Sequence, residues 1–209
     1  MRHHAGMAQE SGLFSLLVSG YPLRDVIRTT GRENLWLLPG DKRTSTAQVL
    51  LTLERPGELD VLQRAVGAEI NDHSLHYVVL DTAPSVGTLQ EAALWMADGV
   101  IIPCATDGLA TDGLVEITNT LRGLKSRHGW QGGLLGVLPT FYDEVTRESQ
   151  LVLADLQRTF GDRLLTPIHR ATVLRECGAE GRTIFEYRPD SRAAREYAAL
   201  VWRVGGWHG

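Results

Sequence analysis

The residues best placed for chemistry are an aspartate at the end of an apolar run and the small-residue loop behind it. Tyr77–Leu80 contains two valines, is too short for a helix, and reads as a strand buried on both faces. Asp81 stands where that strand stops, and Thr82, Ala83, Pro84, Ser85 and Gly87 make a loop before a helical pattern that starts near Thr88. Ligands of open parallel α/β sheets bind just beyond the carboxyl ends of the strands, so Asp81 is a candidate site residue by position. The alternative role for it is to cap the next helix.

A second stretch offers phosphate chemistry. Lys42, followed by Thr44 and Ser45 at the start of the helical run Ala47–Leu53, could hold an anion at a helix N-terminus. A phosphate-binding loop needs G-x-x-x-x-G-K-[S/T], in which glycines let backbone N–H groups converge on the phosphates while the lysine reaches them. No Gly-Lys pair occurs in the 209 residues, so Gly40–Ser45 reads as a turn with an N-cap. The seven histidines lack ligand spacing, and no metal site is expected.

Composition bounds the class. With 43% apolar and 22% charged residues the chain has the balance of an ordinary globular domain. The net charge of −4 does not advertise nucleic-acid binding, and the basic residues are nearly all arginine, Lys42 and Lys125 being the lysines. Cys104 and Cys177 are unpatterned, as expected of thiols in a reducing cytoplasm, and no apolar run reaches the length of a membrane span.

The elements that must position Asp81 follow in order. Residues 1–12 read as a flexible segment, 13–204 as one α/β domain, and 205–209 as a tail. Helices are expected at Leu13–Val18 and from Leu23 towards Gly31, a strand at Asn34–Leu38, then helices over Ala47–Leu53 and Leu59–Ile70. Beyond the Asp81 loop come the helix Leu89–Met96, a buried strand Val100–Cys104 ending near Asp107, and a helix carrying Leu114, Ile117, Leu121 and Leu124. A third buried strand, Gly132–Thr140, delivers Tyr142 and Asp143 to the same edge; a helix to Phe160, a short strand within Gly161–Ile168 and a C-terminal helix over Glu196–Val204 complete the pattern.

This order of motifs resembles the ParA/MinD family of partition ATPases. The segment D-T-A-P-S-V-G at Asp81–Gly87 is similar to that family's Walker B segment, GVLPTFYDEVTRES to its G-V-L-x-T-x-Y/L-D segment, and RTIFEYRPDSRAA to its closing signature. His169 replaces the family's usual proline and Val173 a frequent arginine. The resemblance implies a doubly wound, mostly parallel sheet with helices on both faces, of the SIMIBI P-loop NTPase type and truncated at the N-terminus. It implies Walker B-like roles for Asp81, Pro84 and Ser85, a nucleotide edge at Tyr142, Asp143 and Asp107, and nonspecific DNA contacts from Arg147, Arg170, Arg175, Arg182 and Arg192. For Tyr142 the alternative is a loop aromatic packing locally, and for Asp107 a solvated acid.

The departure from the family is the Walker A and switch I portion, whose motif is not found in the chain. Phosphoryl transfer rests on positioning and charge stabilisation, so Asp81 without a phosphate cradle has nothing to act on. The expectation is therefore a noncatalytic partition protein needing no cofactor, cytoplasmic and nucleoid-associated where DNA binding is kept. It is expected to self-associate as a dimer and to contact DNA, a ParA or a ParB-like partner, but no membrane. The alternatives are a divergent ATPase, binding Mg-ATP through Lys42 or a partner-supplied site, and a truncated gene product.

Overall fold

A computed structural model describes residues 12–40, 42–70, 75–82, 87–106 and 111–206. The chain divides into two compact units, Met1–Ala97 and Asp98–Gly209.

The first unit is built from short helices: α1 (Leu13–Leu17), α2 (Leu23–Val26), α3 (Thr44–Glu54), α4 (Val61–Ile70) and α5 (Thr88–Met96). Their apolar faces meet in one core containing Leu16, Leu17, Val26, Leu51, Leu62 and Ala92. Two-residue strands β1 (Arg28–Thr29) and β2 (Trp36–Leu37) pair antiparallel, with Arg28 opposite Leu37. Gly31 and Asn34, both with positive φ, make the reversal between them, and Thr30 donates its hydroxyl to the Leu35 carbonyl across it. The strand expected over Asn34–Leu38 is thus only a short exposed ribbon, and the helix expected to run towards Gly31 stops at Val26 because Ile27 is already extended.

The Asp81 strand differs most from expectation. Residues 77–82 run without helix, bend or positive φ, yet none pairs with another described residue. Tyr77 is 64% exposed and Val79 89%. An apolar run becomes a doubly buried strand only when neighbours cover both edges and both faces, and here the described residues supply no ladder partner.

The second unit carries the parallel sheet. Strands β3 (Gly99–Ala105) and β4 (Gly133–Thr140) pair in parallel from Gly99 opposite Gly133 to Ala105 opposite Thr140, joined by α6 (Thr111–His128). A register shift between Val100 and Ile101 leaves Leu135 as the extra residue on β4. β4 is buried from Leu135 to Pro139, whereas β3 alternates, with Val100, Ile102 and Cys104 inside and Pro103 exposed. Among the described residues β4 is the ladder partner of β3, and proline, with no N–H for a ladder, suits a strand paired on one side.

After α7 (Arg147–Phe160) and a single 3-10 turn, Leu164–Ile168 runs along the other edge of β4. Leu165 and Ile168 donate to the Val137 and Pro139 carbonyls at 2.8 and 2.9 Å. Gly136 permits this approach, since a Cβ there would lie 2.6 Å from Leu165 Cγ and 2.8 Å from the Arg163 carbonyl oxygen. Helices α8 (Thr172–Ala179), α9 (Ile184–Tyr187) and α10 (Arg192–Gly205) close the unit. Leu174, Tyr197, Leu200 and Val204 pack on Leu135, Leu138, Leu165 and Ile168. The parallel ladder, with helices in the connections and against the strands, is the expected α/β class. No helix of the described residues is long and apolar enough to cross a membrane.

Candidate functional site

The carboxyl edge of the second unit is where the chain concentrates polar chemistry. Thr106, fully buried just past β3, donates its N–H to the Thr140 carbonyl at 3.0 Å, and its hydroxyl meets Ser149 Oγ on α7 at 3.1 Å. These bonds fix the loop after β3 to that after β4. Phe141 takes a left-handed φ of 54°, turning the chain so that Tyr142 can pair in parallel with His169. The Tyr142 N–H donates to the Ile168 carbonyl at 3.1 Å and the Arg170 N–H to the Tyr142 carbonyl at 2.9 Å.

An open cleft of about 250 Å³ lies on this junction, lined by the loop 142–145, by 169–171 and by Arg192, Ala193 and Glu196 of α10. The Tyr142 ring stands edge-on to His169, centroids 4.8 Å apart. Glu196, its side chain 10% exposed, accepts from the His169 backbone N–H at 2.9 Å and lies 2.7 Å from Nδ1. Arg192 Nε donates to the same carboxylate at 2.9 Å, while its terminal nitrogens reach His169 Nε2 and Glu144. A guanidinium only donates, so Nε2 accepts, Nδ1 carries the ring proton, and that proton goes to Glu196.

The electrostatics follow from these contacts. The hydrogen bond from Arg192, reinforced by its charge, holds the Glu144 carboxyl below the usual range. The same bond raises Arg192 above the ordinary arginine value. Burial pushes the Cys104 thiol and the Tyr197 phenol up, since each charged form would lose its water.

The residues expected from sequence distribute unevenly over this geometry. Tyr142 and Asp143 reach the cleft, both half-buried, and Tyr142 packs on His169 rather than on its own helix. Asp143 shapes the turn: Oδ1 accepts from the Val145 N–H at 3.0 Å. Arg192 lines the cleft with its charge met by Glu144 and Glu196. Arg170 lies over the Phe141 ring at 5.6 Å, and Arg182 over the Tyr187 ring with Glu180 at 3.7 Å. Arg147 and Arg175 are exposed on α7 and α8.

Asp81 is exposed, and Pro84, Ser85 and Asp107 lie outside the described residues. Helix α5 is preceded by Gly87 as its N-cap, so Asp81 does not cap it. Lys42 is exposed one residue before Arg43, the N-cap of α3, which makes no side-chain capping bond.

Sequence reasoning missed the Glu144–His169–Arg192–Glu196 cluster as a unit, because its members come from three separate segments. The signal available was the Arg192–Glu196 spacing of four on a helix, which places the two side chains on one face.

Comparison with known proteins places this geometry. A family model described as an AAA domain matches residues 3–130. The sporulation initiation inhibitor Soj of Bacillus subtilis is 30% identical over 196 residues, 93% of this chain and 76% of the relative. The chromosome-partitioning ATPase Soj of Thermus thermophilus is 31% identical over 200 residues, 95% of this chain and 76% of the relative. The solved structure of Cyanothece apo McdA superposes with a TM-score of 0.82 at 18% identity, over 93% of this chain and 77% of that one. That superposition establishes the SIMIBI-type α/β fold. With the order of motifs, the parallel ladder and these relatives in agreement, the chain belongs to the ParA/MinD-type ATPase family.

Proposed function

We propose that residues 1–209 act as a ParA-like partition protein that binds DNA or a partition partner without hydrolysing ATP. The observation that carries the noncatalytic part is chemical: with no Gly-Lys pair and two widely separated lysines, the sequence offers no loop of converging N–H groups with a following ammonium. Asp81, the Walker B-like acid, is solvent-exposed rather than set against such a loop. These residues do not fit a Mg-triphosphate, and no catalytic step is derived through one. The partition role is supported by the Soj relatives, which carry chromosome-partitioning names.

The cationic surface divides by environment. Arg192 and Arg182 are engaged by carboxylates, so their charge is largely spent within the fold. Arg147 at the start of α7, Arg175 on α8 and Arg170, next to the paired His169, are all exposed. In this reading these three make the phosphate contacts, and the protein works in the cytoplasm at the nucleoid.

The test is fluorescence anisotropy with random-sequence duplex DNA over a salt series, without nucleotide. Three phosphate contacts give a log–log slope of about −3, and Arg147→Ala or Arg175→Ala each lowers its magnitude by about 1. Arg192→Ala leaves the slope unchanged. Absence of binding at low salt, or a slope that both variants leave intact, overturns the DNA reading.

A further inference from the structure

Of the side chains lining the cleft, His169 alone is an imidazole, the group that changes charge between about pH 5 and 8. Charged groups from two elements touch its ring. From α10, Glu196 lies on Nδ1 at 2.7 Å and Arg192 Nη2 on Nε2 at 2.5 Å; from the loop before α7, Glu144 Oε2 stands 3.8 Å from Nε2. Tyr142 presents its ring edge-on. Asp143 and Arg170 line the same cleft but are turned elsewhere, Asp143 to the Val145 N–H and Arg170 over the Phe141 ring.

These contacts fit one protonation state. Neutral His169 has its lone pair at Nε2, and Arg192 fills it. A second ring proton goes to Nε2, because Nδ1 already carries one, and a donor then faces a donor. An imidazolium and a guanidinium at that distance repel and have no lone pair between them, so Arg192 Nη2 leaves. The acceptor facing the new proton is Glu144 Oε2, which belongs to an exposed side chain and needs to move by about 1 Å to bond. Glu144 exchanges one cation for another and stays paired in both states. Arg192 keeps its Nε bond to Glu196, while Nη2 loses Nε2 and Glu144 Oε2 together. The arginine side chain is already half exposed, so Nη2 turns to solvent at the mouth of the cleft. Charge moves the same way: two carboxylates against one guanidinium leave the cluster negative, and the second ring proton brings it to neutrality.

We infer that His169 is a proton switch for Arg192. Neutral His169 holds the guanidinium inside the cleft; protonated His169 takes Glu144 Oε2 and turns Arg192 Nη2 outward as an anion contact. On the DNA-binding role proposed above, that contact is one further phosphate, gained on acidification. The gain in DNA contact rests on that role, whereas the exchange of partners does not.

Ring 15N–1H correlation spectra of the whole chain from about pH 8 to 5 read the exchange without DNA, with His169→Gln identifying the signal by its loss. At the alkaline end His169 is the Nδ1–H tautomer, and on titration Nε2 gains its proton. Arg192→Ala removes the opposing charge and moves the midpoint up by at least about 0.5 pH unit. An Nε2–H tautomer at the alkaline end, or the same midpoint in Arg192→Ala, overturns the switch. The anisotropy salt series, run at about pH 7.5 and 5.5, reads the consequence: the wild-type slope steepens by about 1 at the lower pH relative to Arg192→Ala and to His169→Gln. Equal steepening in Arg192→Ala, or none in the wild type, overturns the outward turn of Arg192. Absence of DNA binding at both pH values refutes the DNA-binding role instead, and the ring titration then judges the switch by itself.

Discussion

Replacing Glu196 tests whether the cleft is held by the arrangement described. The Glu196 carboxylate accepts from the His169 backbone N–H and from Nδ1–H, at 2.9 and 2.7 Å, in a site where its own side chain is 10% exposed and that of His169 16%. Glu196→Ala removes the acceptor and leaves two largely buried donors. A hydrogen bond to a charged group contributes about 1.5–3 kcal/mol, and the two are not additive within one side chain, so the expected loss is about 3 kcal/mol. The Arg192 contact is left out of that sum because the guanidinium is half exposed. Glu196→Gln keeps the size and one carbonyl acceptor and costs about 1–2 kcal/mol. Urea denaturation followed by circular dichroism reads the difference: with a slope near 2 kcal/mol/M, the alanine variant shifts the midpoint by about 1.5 M. A double-mutant cycle with His169→Ala gives a coupling of at least about 1 kcal/mol. An alanine variant within about 0.5 kcal/mol of the wild type, or zero coupling, would show that the carboxylate does not hold this junction.

Gly136→Ala forces a methyl group against Leu165 and the Arg163 carbonyl and destabilises by about 1–3 kcal/mol, measured in the same urea assay. At Phe141, with φ of 54°, Phe141→Gly is more stable than Phe141→Ala by about 1 kcal/mol, because alanine keeps the left-handed penalty and glycine does not. Glu144 has a folded value lowered by Arg192, so its contribution is present above the unfolded carboxyl value of about 4.3 and is lost as the pH falls through the lowered one. The stability difference between wild type and Glu144→Gln is therefore constant near neutrality and shrinks on acidification; a difference that grows in acid would reverse the assignment.

The sequence could be read where local pattern and tertiary surroundings agree. Gly132–Thr140 is a continuous apolar run closed by Pro139 and Thr140, and β4 falls at Gly133–Thr140; the helix expected at Leu89–Met96 begins one residue earlier. Tyr77–Leu80 has the same apolar signature but no ladder partner among the described residues, and a strand is a property of neighbours as much as of its own side chains. The cleft was half legible: Tyr142 and Asp143 follow β4 at the edge where ligands gather, whereas His169 and Glu196 become partners only through a parallel pairing and a helix start 27 residues apart in sequence. No periodicity encodes that contact. Arg192 was legible as a cation, but its carboxylate partners, which change what it can do, were not.

The central claim is that these 209 residues carry the ParA-family fold without an ATP-hydrolysing centre. Isothermal titration of the purified chain with Mg-ATP, with phosphate release followed on the same sample, tests it most directly. The account predicts no saturable heat at millimolar nucleotide and no release above the protein-free control. Binding in the micromolar range, lost in Lys42→Ala, would contradict it and assign the phosphate site to the start of α3.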